Sequence, residues 1–333
     1  MEKKKRVLAF GEVMLRIAMD NYQMLEQTKD ARLNFTGTGL NVLSGISHFG
    51  HDTVLLTQLP DNRLGEAAKA EIRKLGISDR YCKQAGNHLG IYILEQGFGN
   101  RPSEVTYLDR IHSSFGISQW SQAEMAAAIA EVDLVHICGI SLVLTEETRQ
   151  AAFTLAKLAK AQNKQVCFDF NYRPSLNTTN ELAWVREQYE KILPFADIVI
   201  GGERDLRELL GVEGADFQSL SANFIKEYQV AYFVGTNRSN RENQRYLTGF
   251  VASGKGLYYS PEYPVYVFDR VGTGDAFAAG IITAVLEDWQ EAAMVELATV
   301  SAVLSHTTLG DSPIVTRKQV ELFIENQFID IVR

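Results

Sequence analysis

Cysteine is scarce in this chain: Cys82, Cys138 and Cys167 are the only three among 333 residues, and no two form a C-x-x-C pair. An odd, scattered set suits neither a disulfide framework nor a zinc site. Two of the three fall in apolar, strand-like runs, so buried reduced thiols in a cytoplasmic protein are the expected state. Long hydrophobic stretches are missing too. No run approaches the roughly 18 apolar residues that a membrane helix needs, and no membrane partner is expected. Basic charge is in deficit, with 33 Lys and Arg against 41 Asp and Glu and a net charge of -8. That balance argues against a nucleic-acid partner, which would want a concentrated basic face. The cluster Lys3-Lys4-Lys5-Arg6 is the exception. It precedes a short strand without the apolar region of a signal peptide and reads as a solvated tail. There is also no internal repeat and no low-complexity segment.

What remains is an ordinary globular composition, 46% apolar and 22% charged, with length for one large α/β unit or two domains. Arg6 to Phe10 is a continuous apolar run in the manner of a buried parallel strand. Leu33 to Gly39 leads through a glycine-rich turn into a helix whose apolar positions run from Leu40 to Phe49 and stop at Gly50. A dinucleotide fingerprint would need a third glycine where Leu43 stands, which disfavours a nicotinamide site. Thr53 to Leu59 reads as the next strand, and Leu64 to Gly76 as an amphipathic helix with a glycine stop. Between Gly90 and His112 the period changes to two β-rich runs joined by Gly97 to Pro102, a hairpin expected to stand off the main sheet as a small lid. From Trp120 onward helices and strands alternate: strands at Asp133–Gly139, Gln165–Phe170, Asp197–Ile200 and Ala231–Val234, helices at Glu146–Gln162, near Glu181–Leu193 and at Glu203–Leu210. Alternation of this kind implies a doubly wound parallel sheet. A polar loop is expected from Gly235 to Arg245, followed by short strands, a glycine turn and two C-terminal helices.

That turn carries the chemistry. Val265 to Phe268 reads as a strand end, Gly272 and Gly274 as a tight turn, and Ala276 onward as an apolar helix. Unpartnered backbone N–H groups and the helix dipole at such a place make an anion cradle. Asp275 within it is either a helix cap or a general base that takes the proton of an attacking hydroxyl. Ligands of doubly wound sheets lie beyond the carboxyl ends of the strands. That rule adds Asp169, Asn171 and Arg173, then Glu203, then Thr236 and Arg238, all expected to face one crevice with the Gly272 turn.

The run Asp269-Arg270-Val271-Gly272-Thr273-Gly274-Asp275-Ala276-Phe277 resembles the C-terminal signature of the ribokinase-like (PfkB) sugar kinases, Asp-Thr-x-Gly-Ala-Gly-Asp-x-Phe. The similarity covers nearly the whole chain and is tightest with the 2-keto-3-deoxygluconate kinase branch. It is carried by Phe10 to Arg16, Gly37 to Asn41, Asp169 to Pro174 and Ser305 to Asp311. The resemblance implies a ribokinase-like α/β fold, a mostly parallel doubly wound sheet with a small β lid, in one unit spanning residues 1–333. The large part would take about 1–11, 38–87 and 113–333, and the lid about 12–37 and 88–112. It further implies Asp275 as base, Gly272, Thr273 and Gly274 as anion hole, and Gly37, Asn41, Tyr92, Tyr107, Arg110, Arg173 and Asp275 around the sugar. Thr236, Arg238, Gly272, Gly274 and Ala302 would meet the nucleotide, with Glu203 reaching the metal through water. ATP and Mg²⁺ are the implied cofactors, and the resemblance leaves a monovalent cation such as K⁺ open.

Paired, always charged donors suit a substrate carboxylate, which is why Arg110 and Arg173 fit a sugar acid. Against those roles stand plain salt bridges for the arginines and strand-face packing for the two tyrosines. Four departures from the family pattern bear on the site. Tyr107 stands three residues before Arg110 where the branch has two, so either one assignment is off or the strand carries a bulge. Gly202-Glu203-Arg204-Asp205 lacks the Asn of the N-x-x-E element, Thr236-Asn237-Arg238 replaces Lys-x-Gly, and Thr273 replaces Gly or Ala. The expected reaction is phosphorylation of the C6 hydroxyl of 2-keto-3-deoxygluconate. A kinase for fructose or 5-keto-2-deoxygluconate, or a silent sugar-binding relative, are the alternatives. A half-covered lid would expose an apolar face, so a lid-mediated homo-oligomer is also expected.

Overall fold

The computed structural model of the protein describes residues 4–174 and 180–326; Lys3 of the basic cluster lies outside them. In chain order the strands are β1 (Arg6–Phe10), β2 (Met14–Met19), β3 (Ala31–Thr36), β4 (Asp52–Leu59), β5 (Ser78–Gln84), β6 (Gly90–Glu95) and β7 (Glu104–Leu108). Then come β8 (Leu134–Cys138), β9 (Gln165–Asp169), β10 (Ile198–Ile200), β11 (Tyr232–Arg241), β12 (Gln244–Ser253), β13 (Gly256–Tyr259) and β14 (Tyr263–Val265). The main sheet runs β13-β12-β11-β10-β9-β8-β1-β4-β5, with β14 beside β12. From β11 to β5 every pair is parallel. The chain leaves β1 toward β4 and β5, then returns to the other side through β8, so the order reverses at β1 and β8. That reversal opens the crevice in which ligands of such sheets bind.

Strands buried on both faces need apolar residues at every position, and β1 shows why. Val7 and Ala9 enter one core, Leu8 and Phe10 the other. The first core is covered by α1 (Thr38–His48) and α2 (Arg63–Lys74), and the second by α3 (Gln122–Ala130), α4 (Ile140–Val143), α5 (Glu146–Ala161), α6 (Leu182–Ile192) and α7 (Phe217–Tyr228). Side-chain caps set where several of these helices begin: Asn62 for α2, Ser121 for α3, Thr145 for α5 and Asp216 for α7. Each cap satisfies an otherwise unpartnered N–H and is worth about 1 kcal/mol. The first core also receives α8 (Thr273–Leu286), α9 (Glu291–Ser305) and α10 (Arg317–Asn326). Helix α8 is buried almost all round because α9 lies directly on it: a β-carbon on Gly280 would stand 2.6 Å from the Ala298 α-carbon. This close fit fixes the axis along which the anion turn points.

A second sheet, β3-β2-β6-β7, stands apart. Its rungs place Asn34, Arg16, Tyr92 and Tyr107 side by side across all four strands. Leu33, Val105 and Leu108 of this sheet are exposed. Cys82, Cys138 and Cys167 are buried and free. Among the described residues no helix is long and apolar enough to cross a membrane.

Four local expectations need correction. The segment expected as a polar loop, Gly235 to Arg245, is a hairpin in which β11 runs on to Arg241 and pairs antiparallel with β12. Glu242 and Asn243, at φ of 49° and 66°, make its two-residue turn. The ladder to β12 satisfies the backbone there whatever the side chains are, so polarity misled. Strand β14 ends at Val265, not Phe268, and pairs only with the antiparallel β12. The chain beyond it bonds to a helix end instead, Phe268 and Asp269 N–H donating to the His306 carbonyl at 2.8 and 3.2 Å. Finally, among the described residues three helices, α8, α9 and α10, follow the glycine turn where two were expected; the helix expected at Glu203–Leu210 is present, its Asp205–Leu210 part wound as a π-helix that ends at left-handed Gly211.

Candidate active site

Helix α8 begins at Thr273, one turn earlier than its apolar pattern suggests, with Gly272 as its cap. Gly272 has φ of +80°, and a β-carbon there would stand 1.7 Å from the Asp311 carbonyl oxygen. Both facts require glycine. The N–H groups of the first helical turn, Thr273 to Asp275, consequently face out of the helix with the dipole behind them.

Asp275 is half-buried, and its Oδ2 accepts a hydrogen bond from Asn41 Nδ2 at 2.7 Å. The Asn41 amide is oriented on its other side by the Ser312 hydroxyl, which donates to Oδ1 at 3.1 Å; the Thr36 hydroxyl lies 3.4 Å from Oδ1 and gives its proton to Asp311. Asn41 is itself fixed by the first turn of α1, its N–H donating to the Gly37 carbonyl at 2.8 Å. Burial pushes the Asp275 carboxyl well above its ordinary pKa, the Asn41 bond opposes this, the Asp169 charge adds to it and Arg173 again opposes it. Asp169, at the carboxyl end of β9, is likewise pushed up, to about 7, by burial, with Arg173 and the Asn171 N–H holding it down. Asp169, Arg173 and Asp275 thus lie within electrostatic reach of one another at the sheet's switch point. A poised carboxylate, an anion cradle and a guanidinium converge there.

Beside the turn lies a cleft of about 220 Å³ lined by Arg238, Arg245, Tyr246, Val267, Arg270 and His306. Desolvation and the charges of Arg270, Arg173 and Arg245 lower the Arg238 pKa. Burial lowers that of His306 as well, and its Nδ1 lies 2.7 Å from the Ala302 carbonyl. Since a carbonyl only accepts, Nδ1 carries the proton. Three guanidinium groups around one cleft suit a polyanion such as a nucleotide's phosphates.

The lid residues meet in a different way. Tyr92 is buried, donates to the Asp311 carboxylate and packs against Tyr107 at 6.1 Å between centroids. Arg110 follows the end of β7 and lies over the Tyr107 ring at 5.2 Å. The β6–β7 register is regular, so no bulge shifts Tyr107. Both Arg110 Nε and Nη2 donate to Glu12 Oε2, at 3.0 and 2.8 Å, in a pair buried on both sides. Glu203 bonds to Arg207 on its own helix at 2.8 Å rather than turning to the Gly272 turn. Among the described residues no group of three His, Cys, Asp or Glu side chains stands ready for a metal.

Sequence reasoning passed over Glu12, Arg16, Asp269, Asp311 and Ser312. Each lies inside or next to a quoted motif, and an arginine in the middle of a lid strand was the available signal. Its partners, 253 and 295 residues away, left none.

Residues 4–317 match the description "pfkB family carbohydrate kinase". A solved structure from Enterococcus faecalis, provisionally named a 2-keto-3-deoxygluconate kinase, is 48% identical with a TM-score of 0.94, over 99% of each chain. The 2-dehydro-3-deoxygluconokinase of Thermotoga maritima is 27% identical with a TM-score of 0.89, over 97% of this chain and 100% of that one. A 2-dehydro-3-deoxygalactonokinase of Haloferax volcanii is 26% identical over 95% of each chain.

Proposed function

The chain belongs to the pfkB family of carbohydrate kinases, and from that premise we propose that it transfers the γ-phosphoryl group of ATP to the C6 hydroxyl of 2-keto-3-deoxygluconate. One observation carries the reading: a half-buried carboxylate, Asp275, stands in the first turn of α8, oriented by Asn41 and within reach of Arg173. Asp275 Oδ2 is engaged with Asn41, so Oδ1 takes the proton of the attacking hydroxyl as the sugar oxygen–phosphorus bond forms and the bond from the γ-phosphorus to the bridging oxygen breaks, with ADP as leaving group. The N–H groups from Thr273 to Asp275 hold the charge on the transferring group, in a place where donors fixed beforehand need no reorganisation. Gly37 and Asn41 form the floor for the sugar, Tyr92 and Tyr107 its lid wall, and Arg173 its carboxylate reader. Thr236, Arg238 and the His306 side of Ala302 face the nucleotide.

When bound, Mg²⁺ neutralises the nucleotide's phosphates. The sparse acidic set here fits an ion carried by those phosphates and water, with Glu203 at most an outer partner. The exposed lid residues Leu33, Val105 and Leu108 support pairing of two copies through their lids, which a mass measurement in solution would test.

A second reading has one observation behind it. Arg110 is already neutralised by Glu12, which favours a neutral sugar such as fructose over an acid read by two arginines. Release of ADP, followed with Mg-ATP over a panel of 2-keto-3-deoxygluconate, 5-keto-2-deoxygluconate, gluconate and fructose, separates the two. Turnover on the keto-deoxy acid alone supports the first reading; turnover on fructose alone overturns it and leaves Asp275 as base.

A further inference from the structure

A buried ion cluster joins the lid sheet to the anion turn. Arg16, 2% exposed, rises from the middle of β2. Its Nη2 donates to Asp269 Oδ2 at 2.7 Å and its Nη1 to Asp311 Oδ1. Asp311 Oδ2 also accepts from Tyr92 and, at 2.7 Å, from Thr36. Asp269 in turn accepts from the Val271 N–H at 3.2 Å and the Gly310 N–H at 3.4 Å. The two carboxylates therefore bracket the anion turn from both sides. Asp269 holds the residue before Gly272, and the backbone of Asp311 presses on Gly272 itself.

Two buried carboxylates this near each other repel unless a cation lies between them. A guanidinium suits that task because its planar fork reaches both at once, which a lysine ammonium does not. Arg16 comes from the lid sheet, on the same rung as Tyr92 and Tyr107. We propose that Arg16 is a positioning residue for phosphoryl transfer, a resident cation that holds Asp269 and Asp311 and thereby keeps the Gly272 turn in its phosphate-binding shape. Tyr92 and Thr36 of the same sheet reach Asp311 alone, whereas Arg16 reaches both carboxylates, so a displacement of the lid is felt on both sides of the turn through Arg16. The turnover part of this proposal rests on the kinase reading above; its anion-binding part does not.

A polar cavity of about 50 Å³, lined by Arg16, Arg32, Asn34, Asp269 and Gly310, reaches the cluster from outside. A small cation can therefore replace a truncated side chain. The test uses the full chain, with Arg16→Lys and Arg16→Ala compared with wild type in Mg-ADP binding by calorimetry, in turnover, and in near-ultraviolet circular dichroism. Arg16→Lys keeps the charge but not the fork, and is expected to fold, to bind Mg-ADP about tenfold or more weakly and to lose kcat by a similar factor, with the sugar KM little changed. Arg16→Ala is expected to lose more and to regain part of both on addition of millimolar guanidinium, which leaves wild type unaffected. If Arg16→Ala does not fold, Arg16→Lys decides alone. An Arg16→Lys protein that binds and turns over like wild type overturns the proposal, as does a folded Arg16→Ala protein indifferent to guanidinium. Wild type that binds Mg-ADP but phosphorylates no sugar overturns the kinase reading alone, and the affinity comparison still decides the role of Arg16. Wild type that binds no Mg-ADP overturns both.

Discussion

Replacing Asp275 by Asn tests function and stability with one atom changed. The shape is retained, and the new amide oxygen can still accept from Asn41 Nδ2, whose orientation is set by the Ser312 hydroxyl. What disappears is the ability to take a proton. General-base assistance is worth about 10²–10⁴ in rate, or about 3–5 kcal/mol of barrier, and that is the expected loss in kcat. Binding of Mg-ATP should be retained or improved, because a carboxylate beside the phosphates has been removed. Stability should move the other way. The folded pKa of Asp275 lies above its unfolded value, so ionised Asp275 costs the native state free energy that increases as pH rises from the unfolded pKa to the folded one. The variant should melt higher than wild type at pH 8 and converge with it near pH 4. ADP release, calorimetry of Mg-ATP and thermal melts at both pH values read the three effects. Turnover within about tenfold of wild type would refute the base assignment. A lower melting temperature at pH 8 would refute the account of its burial.

Other changes give equally direct readings. Gly272→Ala places a β-carbon against the Asp311 carbonyl at a left-handed φ and is expected to abolish phosphate binding, measured by Mg-ADP calorimetry, and to lower the melting temperature. His136 sits in β8 with both ring nitrogens unpartnered among the described residues, and burial lowers its pKa to about 4. A lowered folded pKa means stability falls as pH drops from 6.5 toward 4, by about 3 kcal/mol in all, and His136→Leu should remove that slope in urea titrations. Arg110→Leu leaves the buried Glu12 without a countercharge, with only the Ser113 hydroxyl at 3.3 Å among its side-chain partners, which should cost about 3–5 kcal/mol, while the double change with Glu12→Leu recovers most of it. A single variant as stable as wild type would mean the pair is open to substrate.

The parallel core was legible because each strand is a short apolar run between turn residues, as at Val7 to Phe10, and because capping residues such as Thr145 mark where helices start. Asp275 could be picked out locally, since two glycines before an apolar helix announce an anion cradle. Polar strands were not legible: Asn237 to Arg241 is held by its ladder to β12, information that sits in another segment. Nor could local pattern show that Arg110 would be matched by Glu12, or Arg16 by Asp269 and Asp311. These are pairings of charge across 98 to 295 positions, and no periodicity records them.

The bond between Arg16 and Asp311 also sets a schedule. At synthesis rates of about 5–20 residues per second, the lid strand is made roughly 15–60 s before Asp311, the second of its two partner carboxylates. Until both carboxylates are made, a cation meant for a dry interior lacks part of its pairing, which disfavours early burial of β2. Strand β2, made early, is among the last to be locked. A ribosome-held chain stopped before Ser305 is therefore expected to contain a protease-resistant α/β core and a lid that is cut readily.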